Sequence, residues 1–107
     1  MRRRSITPRI ETGTSGGVVA THDYVRRYWI PVIGPGAVAD LLRLTAAAQS
    51  GRSLPEPTHL PSLLRLGLAR RAQDTVIVPR TVRTLDHALI RRLPPSLRRT
   101  HPHRAPA

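Results

Sequence analysis

The sequence contains no cysteine, no lysine and no phenylalanine, and only six of its 107 residues are acidic. Without cysteine, the chain can form neither disulfide bonds nor thiolate metal sites. Its aromatic residues, Tyr24, Tyr28 and Trp29, are too few for a platform on which single-stranded bases stack. No apolar run of the length of a signal peptide or a membrane span follows the basic residues at the N-terminus. We therefore expect an aliphatic core and no membrane partner.

Arginine supplies all of the formal positive charge. Eighteen arginines against six acids give a net charge of +12 and an isoelectric point near 12.0. A small protein with this imbalance is expected to bind a polyanion, most commonly nucleic acid, and guanidinium groups suit phosphate and guanine. A GC-rich coding bias accounts for part of the preference for arginine, but not for the shortage of acids. We predict DNA, more than RNA, as the partner, and a cytoplasmic, nucleoid-associated location.

The length of the chain is that of one domain with short extensions. Residues 1–20 combine glycine, threonine and arginine without amphipathic periodicity, which predicts a flexible basic arm. Residues 21–101 carry the periodic apolar pattern of a folded domain. Residues 102–107 are predicted to be a disordered tail.

Three helices are predicted in the first part of the domain from their apolar periodicity. Thr21 is expected to cap the first helix and Pro31 to end or kink it, and Thr58 is expected to cap the third. In the third helix, Leu60 and Leu63 face inward, together with Leu64. The predicted ranges are 22–30, 36–49 and 59–66.

A β-hairpin is predicted to follow the third helix. Gly67 supplies the left-handed residue that ends the helix, and Leu68 the apolar contact that closes such an end. Residues 68–72 and 75–80 then pair across Gln73-Asp74. A last helix, 85–93, is expected to begin after Thr84. Three helices, a hairpin wing and a C-terminal helix predict an α+β, mostly α, winged-helix-like fold.

Three segments and a final histidine carry a resemblance to a known group of proteins. The segments Tyr28–Pro35, Leu66–Arg70 and Arg92–Arg98, followed by His101, resemble uncharacterised actinobacterial proteins with a winged helix-turn-helix domain, similar to transcriptional regulators. The resemblance implies that the third helix is the recognition helix and that residues 68–80 are the wing. Such domains place a further helix before the recognition helix. Here only Gly51–Pro57 occupies that position, and its two prolines prevent a helix, so the helix-turn-helix is shortened.

The predicted nucleic-acid contacts lie on the third helix, the wing and the arm. Arginine can read guanine in the major groove or bind phosphates, and an arm can follow the backbone. Because the third helix lacks its usual neighbour, we expect the wing and the arm to supply most of the affinity. The candidate residues are His59, Ser62 and Arg65 on the helix, Arg70, Arg71 and Arg80 on the wing, and Arg2, Arg3 and Arg4 on the arm.

No catalytic, cofactor or metal site is predicted. The pairs His22-Asp23 and Asp86-His87 are adjacent in sequence and would point to different faces of a helix, and His101 with His103 lacks further ligands. We therefore expect a DNA-binding transcriptional regulator or accessory factor and not an enzyme. The alternatives are a protein-interaction adaptor or subunit of a larger assembly, with a homodimer as one form, and a ribosome- or RNA-associated basic protein.

Overall fold

Residues 35–50 are rich in alanine and leucine, and they form the longest element of the structure. The computed structural model describes residues 4–11 and 16–102, which form an α+β fold with five α-helices and two small sheets. Helices hold 45% of the described residues and strands 16%, so the expected mostly helical character is not confirmed. In chain order the elements are β1 (Ser5–Ile6), β2 (Arg9–Ile10), a π-helical turn (Val25–Trp29), α1 (Ile30–Ile33), α2 (Pro35–Ser50), β3 (Leu54–Pro55), α3 (Leu60–Arg65), β4 (Arg70–Ala72), β5 (Thr75–Val78), α4 (His87–Ile90) and α5 (Pro95–Thr100).

Helix α2 confirms the prediction for residues 36–49 and extends it by one residue at each end. Pro35 occupies the first turn, where its missing N–H leaves no intrahelical hydrogen bond unmade. Gly51 ends the helix in the left-handed conformation, with φ of 65°. The face that carries Leu41 and Leu44 is buried, so α2 forms the centre of the core.

The first helical segment differs from its prediction at both ends. Thr21 does not cap it; instead, Nδ1 of His22 accepts a hydrogen bond from the backbone N–H of Tyr24 at 3.0 Å. Of the two outcomes expected at Pro31, an end of the helix is not found, because a π-helical turn precedes α1 and the helical path continues to Ile33. A proline removes one backbone donor and crowds the turn before it, which is where the π turn lies.

The segment expected to be a flexible arm contains two strands in its described part. Strand β1 pairs with β3 in an antiparallel arrangement, and β2 pairs in parallel with β5. Ile6 and Val18 are buried in the core, at 3% and 5% exposure. The prediction of an unstructured arm is therefore wrong for residues 4–11, since apolar side chains within it are buried on folding. Residues 1–3 and 12–15 lie outside the described part of the chain.

The junction between α3 and the hairpin confirms the predicted helix end. The backbone N–H of Leu68 donates to the carbonyl of Leu63 at 2.9 Å, and that of Gly67 to Leu64 at 3.2 Å, which is the Schellman pattern. Gly67 has a φ of 73°. Strands β4 and β5 pair across the predicted two-residue turn, where Gln73 takes a positive φ of 55° as such hairpins require.

The predicted helix 85–93 is shorter in the structure, where only α4 lies within that range. The cap is not Thr84 but Asp86, whose Oδ1 accepts from the backbone N–H of Leu89 at 2.9 Å. Helix α4 ends before Pro94-Pro95, and α5 begins at Pro95. The part of the predicted tail beyond residue 102 lies outside the described residues.

Two tyrosines connect the first helical segment to the C-terminal end of the domain. The Tyr28 hydroxyl donates to the carbonyl of Thr100 at 2.9 Å, and Tyr24 hydrogen-bonds Nε2 of His101 and accepts from the backbone N–H of Leu85. Burial raises the pKa of Tyr24 above its ordinary value of 10.0, against the opposing effect of the Leu85 hydrogen bond. The phenol is therefore neutral at physiological pH and serves as a structural hydrogen-bonding group.

Candidate nucleic-acid interface

The predicted recognition face of α3 is only partly brought together. Ser62 is half-buried and Arg65 is exposed, and both line a cavity of about 130 Å³ between α1, α3 and the turn after α4. His59 precedes the helix, and its imidazole lies against Gly36 at the start of α2. A Cβ atom on Gly36 would stand 2.5 Å from Nε2 of His59. Ser62 and Arg65 therefore share a site, while His59 faces a different neighbour.

A buried carboxylate from α2 holds the start of α3. Asp40 is 5% exposed, and its Oδ2 accepts a hydrogen bond from the backbone N–H of His59 at 3.0 Å. Its Oδ1 accepts from Nη1 of Arg43 at 2.7 Å. Thr58, the predicted cap, is exposed and makes no side-chain hydrogen bond within the described residues. Asp40 thus fixes a helix of six residues whose sequence gives it no cap of its own.

The two arginines of strand β4 are both bound to carboxylates. Nη2 of Arg70 donates to Glu11 at 3.1 Å, and Nη2 of Arg71 donates to Glu56 at 2.9 Å. The guanidinium groups remain 58% and 46% exposed, so they can still meet a ligand. Each acid nevertheless cancels the charge beside it. The β4–β5 hairpin is therefore less positive than its sequence indicates.

The remaining predicted contacts are dispersed. Arg80 is exposed and lines a separate cavity with residues of α2 and residues 19–21, so it does not extend the surface formed by Arg70 and Arg71. Arg4 is exposed, and its carbonyl accepts from the backbone N–H of Glu56 at 2.7 Å. Arg2 and Arg3 lie outside the described residues.

The predicted nucleic-acid contacts leave out a set of arginines that follows α4, which we call the C-terminal arginines. Nη2 of Arg92 reaches the carbonyl of Val32 at 3.4 Å, and Nη2 of Arg98 donates to the carbonyls of Leu93 at 3.1 Å and Arg91 at 3.4 Å. Carbonyl oxygens orient these groups without cancelling their charge. In the sequence the C-terminal arginines form two doublets of neighbouring residues, and these doublets could have marked them as candidates. The members are Arg91, Arg92, Arg98 and Arg99.

The acids of the protein are unevenly shared between its arginines. Five of the six acids make ion pairs, and within residues 4–11 and 16–102 the C-terminal arginines and Arg65 have none. Arg83 approaches Asp86 at 3.6 Å and also donates to the carbonyl of Leu66 at 2.7 Å. The ion pairs join Asp23 to Arg26, Asp40 to Arg43, Glu11 to Arg70, Glu56 to Arg71 and Asp86 to Arg83.

Other kinds of site have little support in the described part of the chain. No group of three metal-ligating side chains occurs there, and no helix there has the length and apolar character needed to cross a membrane. His103, one of the two tail histidines, lies outside the described residues. No family model matches the chain, and neither a curated protein nor a solved structure was found to be similar to it.

Proposed function

We propose that the protein binds nucleic acid, and duplex DNA in particular, as a transcriptional regulator or accessory factor. The observation that carries this proposal is the excess of guanidinium groups with no carboxylate partner in the described residues. Arg65 and the C-terminal arginines are such groups. Exposed cations without internal counterions gain most from replacing the counterions condensed on a phosphate backbone.

The arrangement of α3 and the hairpin supports a winged-helix-like mode of binding. Helix α3 leads through the Gly67 turn directly into β4–β5, and β2 adds a third strand to that hairpin. In this reading α3 is the recognition helix and β4–β5 is the wing. The shortened helix-turn-helix is compensated by Asp40, which joins α2 directly to the start of α3.

Phosphate contacts, more than base contacts, are expected to supply the affinity. Helix α3 has six residues and is therefore about 9 Å long at 1.5 Å per residue. A helix this short offers few side chains to base edges, and phosphate contacts carry little sequence information. The ion pairs of Arg70 and Arg71 further reduce the share expected of the wing. We therefore propose that Arg65 and the C-terminal arginines contribute more than the wing.

Salt dependence of DNA binding tests the proposal. Affinity for a random duplex is measured by fluorescence anisotropy from about 50 to 200 mM salt, with single-stranded DNA and duplex RNA in parallel. Log affinity should fall linearly with log salt, with a slope of about 0.9 per phosphate neutralised. Absence of binding at the lowest salt, or a flat response, would overturn the proposal. Stronger binding to duplex RNA would replace DNA by RNA.

One observation favours a second candidate, a protein-interaction module. The segment between α2 and α3 contains strand β3, paired with β1, where a helix-turn-helix would have its first helix. A domain without that helix has lost part of the usual support for insertion into a groove. If no nucleic acid binds at low salt, this candidate takes the place of the first.

A further inference from the structure

The cavity lined by Ser62 and Arg65 has the chemistry of an anion site. It lies where α1, α3 and the turn after α4 meet, and its volume is about 130 Å³. At ~30 Å³ per water molecule this space holds about four waters, which is comparable to the four oxygens of a phosphate group. The lining residues are Val32, Ile33, Ser62, Arg65, Leu66 and Arg92.

The polar side chains of this lining are those of Arg65, Arg92 and Ser62, which carry two guanidinium groups and one hydroxyl. Arg65 and Arg92 line the same small space, and no carboxylate is among its lining residues. The Ser62 hydroxyl and the Arg65 guanidinium make no hydrogen bond to any other described residue. Two neighbouring cations repel each other, and an anion placed between them removes the repulsion and accepts their hydrogen bonds.

The walls of the cavity are fixed by contacts outside it. Arg92 is oriented by the carbonyl of Val32, and the turn that carries it is closed by the hydrogen bond from Arg98 to Leu93. Arg65 occupies the last turn of α3, which the Gly67 end closes. The donors are thus partly oriented before a ligand arrives, and this reduces the entropy that binding must remove.

A second cavity, beside the wing, makes an instructive comparison. It measures about 380 Å³ and is lined by Arg70 and Arg71, but Glu11 lies in the same wall and is bound to Arg70. An anion entering there would have to displace or approach that carboxylate. The smaller cavity has no such competitor in its lining and is the better anion site.

We propose that the cavity of Ser62, Arg65 and Arg92 binds one phosphate group of a nucleic acid. The two guanidinium groups and the hydroxyl donate hydrogen bonds to its oxygens, and Val32, Ile33 and Leu66 form the apolar side. This proposal rests on the proposed nucleic-acid binding, because the phosphate is that of a bound strand. It assigns to Arg92, which sequence reasoning did not select, the role of holding α3 on the backbone.

The test compares Arg92→Gln with Arg99→Gln, since each removes one C-terminal arginine and only Arg92 lines the cavity. Affinity is measured for one duplex with and without 5′-phosphates, and binding of inorganic phosphate is measured by calorimetry. We expect Arg92→Gln to lower duplex affinity about tenfold and Arg99→Gln about threefold at most, because only the first loses charge-assisted hydrogen bonds. Ser62→Ala, which leaves the charge unchanged, should lower affinity by a few-fold.

The outcomes separate this proposal from the proposed function. Salt-dependent DNA binding with equal losses in Arg92→Gln and Arg99→Gln would overturn the cavity and leave the function standing. Phosphate binding that Arg92→Gln abolishes, in a protein that binds no nucleic acid, would show an anion site with a different ligand and would overturn both the proposed function and the proposed phosphate of a bound strand. A loss seen only with 5′-phosphorylated duplex would identify the ligand as a terminal phosphate, and an equal loss with both duplexes would identify an internal phosphodiester.

Discussion

The two arginine-bearing sides of the protein satisfy their charges in different ways. On strand β4, Arg70 and Arg71 each donate to a carboxylate. After α4, Arg92 and Arg98 donate to backbone carbonyls, and the guanidinium group of Arg65 makes no hydrogen bond within the described residues. The sequence has arginine doublets in both places, so the number of arginines alone does not locate the positive field. The position of the few acids does.

The difference matters more for binding than for stability. Exposed ion pairs such as those of Arg70 and Arg71 typically contribute at most about 1 kcal/mol to folding. The same pairs reduce the local potential that a phosphate backbone experiences. A surface can therefore lose much of its attraction for nucleic acid through acids that hardly stabilise the fold.

The difference between the two sets of arginines depends first on the position of α3, and Asp40→Ala is expected to disturb that position. Loss of the buried carboxylate removes a charge-assisted hydrogen bond and leaves the His59 N–H without its acceptor. We expect the free energy of unfolding to fall by about 2–3 kcal/mol in urea denaturation. Asp23→Ala removes an exposed carboxylate, 85% accessible, from another pair of the same spacing and should have a much smaller effect. Equal losses in the two variants would show that Asp40 does not anchor α3.

The end of α3 lies between Arg65 and strand β4, and Gly67→Val would strain the backbone there. A β-branched side chain is strongly disfavoured at a φ of 73°, although no atom stands within 4 Å of where its Cβ would lie. We expect a loss of about 1–2 kcal/mol, visible as a lower melting temperature. Gly67→Asn should lose less, because asparagine tolerates this conformation better. An unchanged melting temperature in Gly67→Val would contradict the described helix end.

Neutralising Glu11 and Glu56 would leave the arginines of β4 without carboxylate partners, as the C-terminal arginines already are within the described residues. In the double variant Glu11→Gln and Glu56→Gln, Arg70 and Arg71 lose their counterions. Stability should change by less than about 1 kcal/mol. The salt slope of DNA binding should rise by about 0.9 for each arginine that then contacts a phosphate.

A matched control separates release of the wing arginines from a general change in charge. Asp74→Asn removes one negative charge at the hairpin turn, where no arginine of the described residues is paired with it. It should raise affinity less, per charge removed, than the double variant. An equal rise per charge would mean that the ion pairs themselves do not limit binding by the wing.

The smallest expected effect is a loss of stability in alkaline solution, and it comes from Tyr24, which contacts the C-terminal part of the domain. Because burial raises the pKa of Tyr24, the unfolded chain loses this proton near pH 10.0 while the folded protein keeps it. Stability from this group is therefore complete below pH 10 and is lost as the pH rises through the higher folded value. Urea denaturation at pH 9 and pH 11 should show the fall. Because the backbone N–H of Leu85 donates to the Tyr24 hydroxyl, hydrogen exchange at pH 11 should show this amide exchanging before the amides of the strands. Simultaneous exchange of all these amides would contradict the prediction.

Local signals in the sequence predicted the elements whose contacts are close in sequence. The apolar stripe of α2, the Gly67 end of α3 and the Gln73-Asp74 turn each depend on residues a few positions apart, and all three are confirmed. Strands β1 and β2 have two residues each and depend on partners far along the chain, so no periodicity could mark them.

The candidate site divides in the same way. The spacing of Ser62 and Arg65 placed both on one face of α3, and they do share a cavity. Arg92 joins them only because the turn after α4 contacts α1 at the carbonyl of Val32, and Glu11 meets Arg70 only through the sheet. Both contacts are tertiary, and propensity or spacing carries no information about them.

The parallel pairing of β2 with β5 also bears on how the chain is made. The Thr75 hydroxyl donates to the carbonyl of Thr7 across 68 positions, whereas β4 and β5 meet across a two-residue turn. During synthesis the β4–β5 hairpin can form as soon as it emerges. Strand β2 pairs with β5 across a long sequence separation, so this pairing is expected to form after the hairpin. Until it does, one edge of β5, which carries Val76 and Val78, is open. In that interval a nascent chain is most exposed to pairing with another copy of itself.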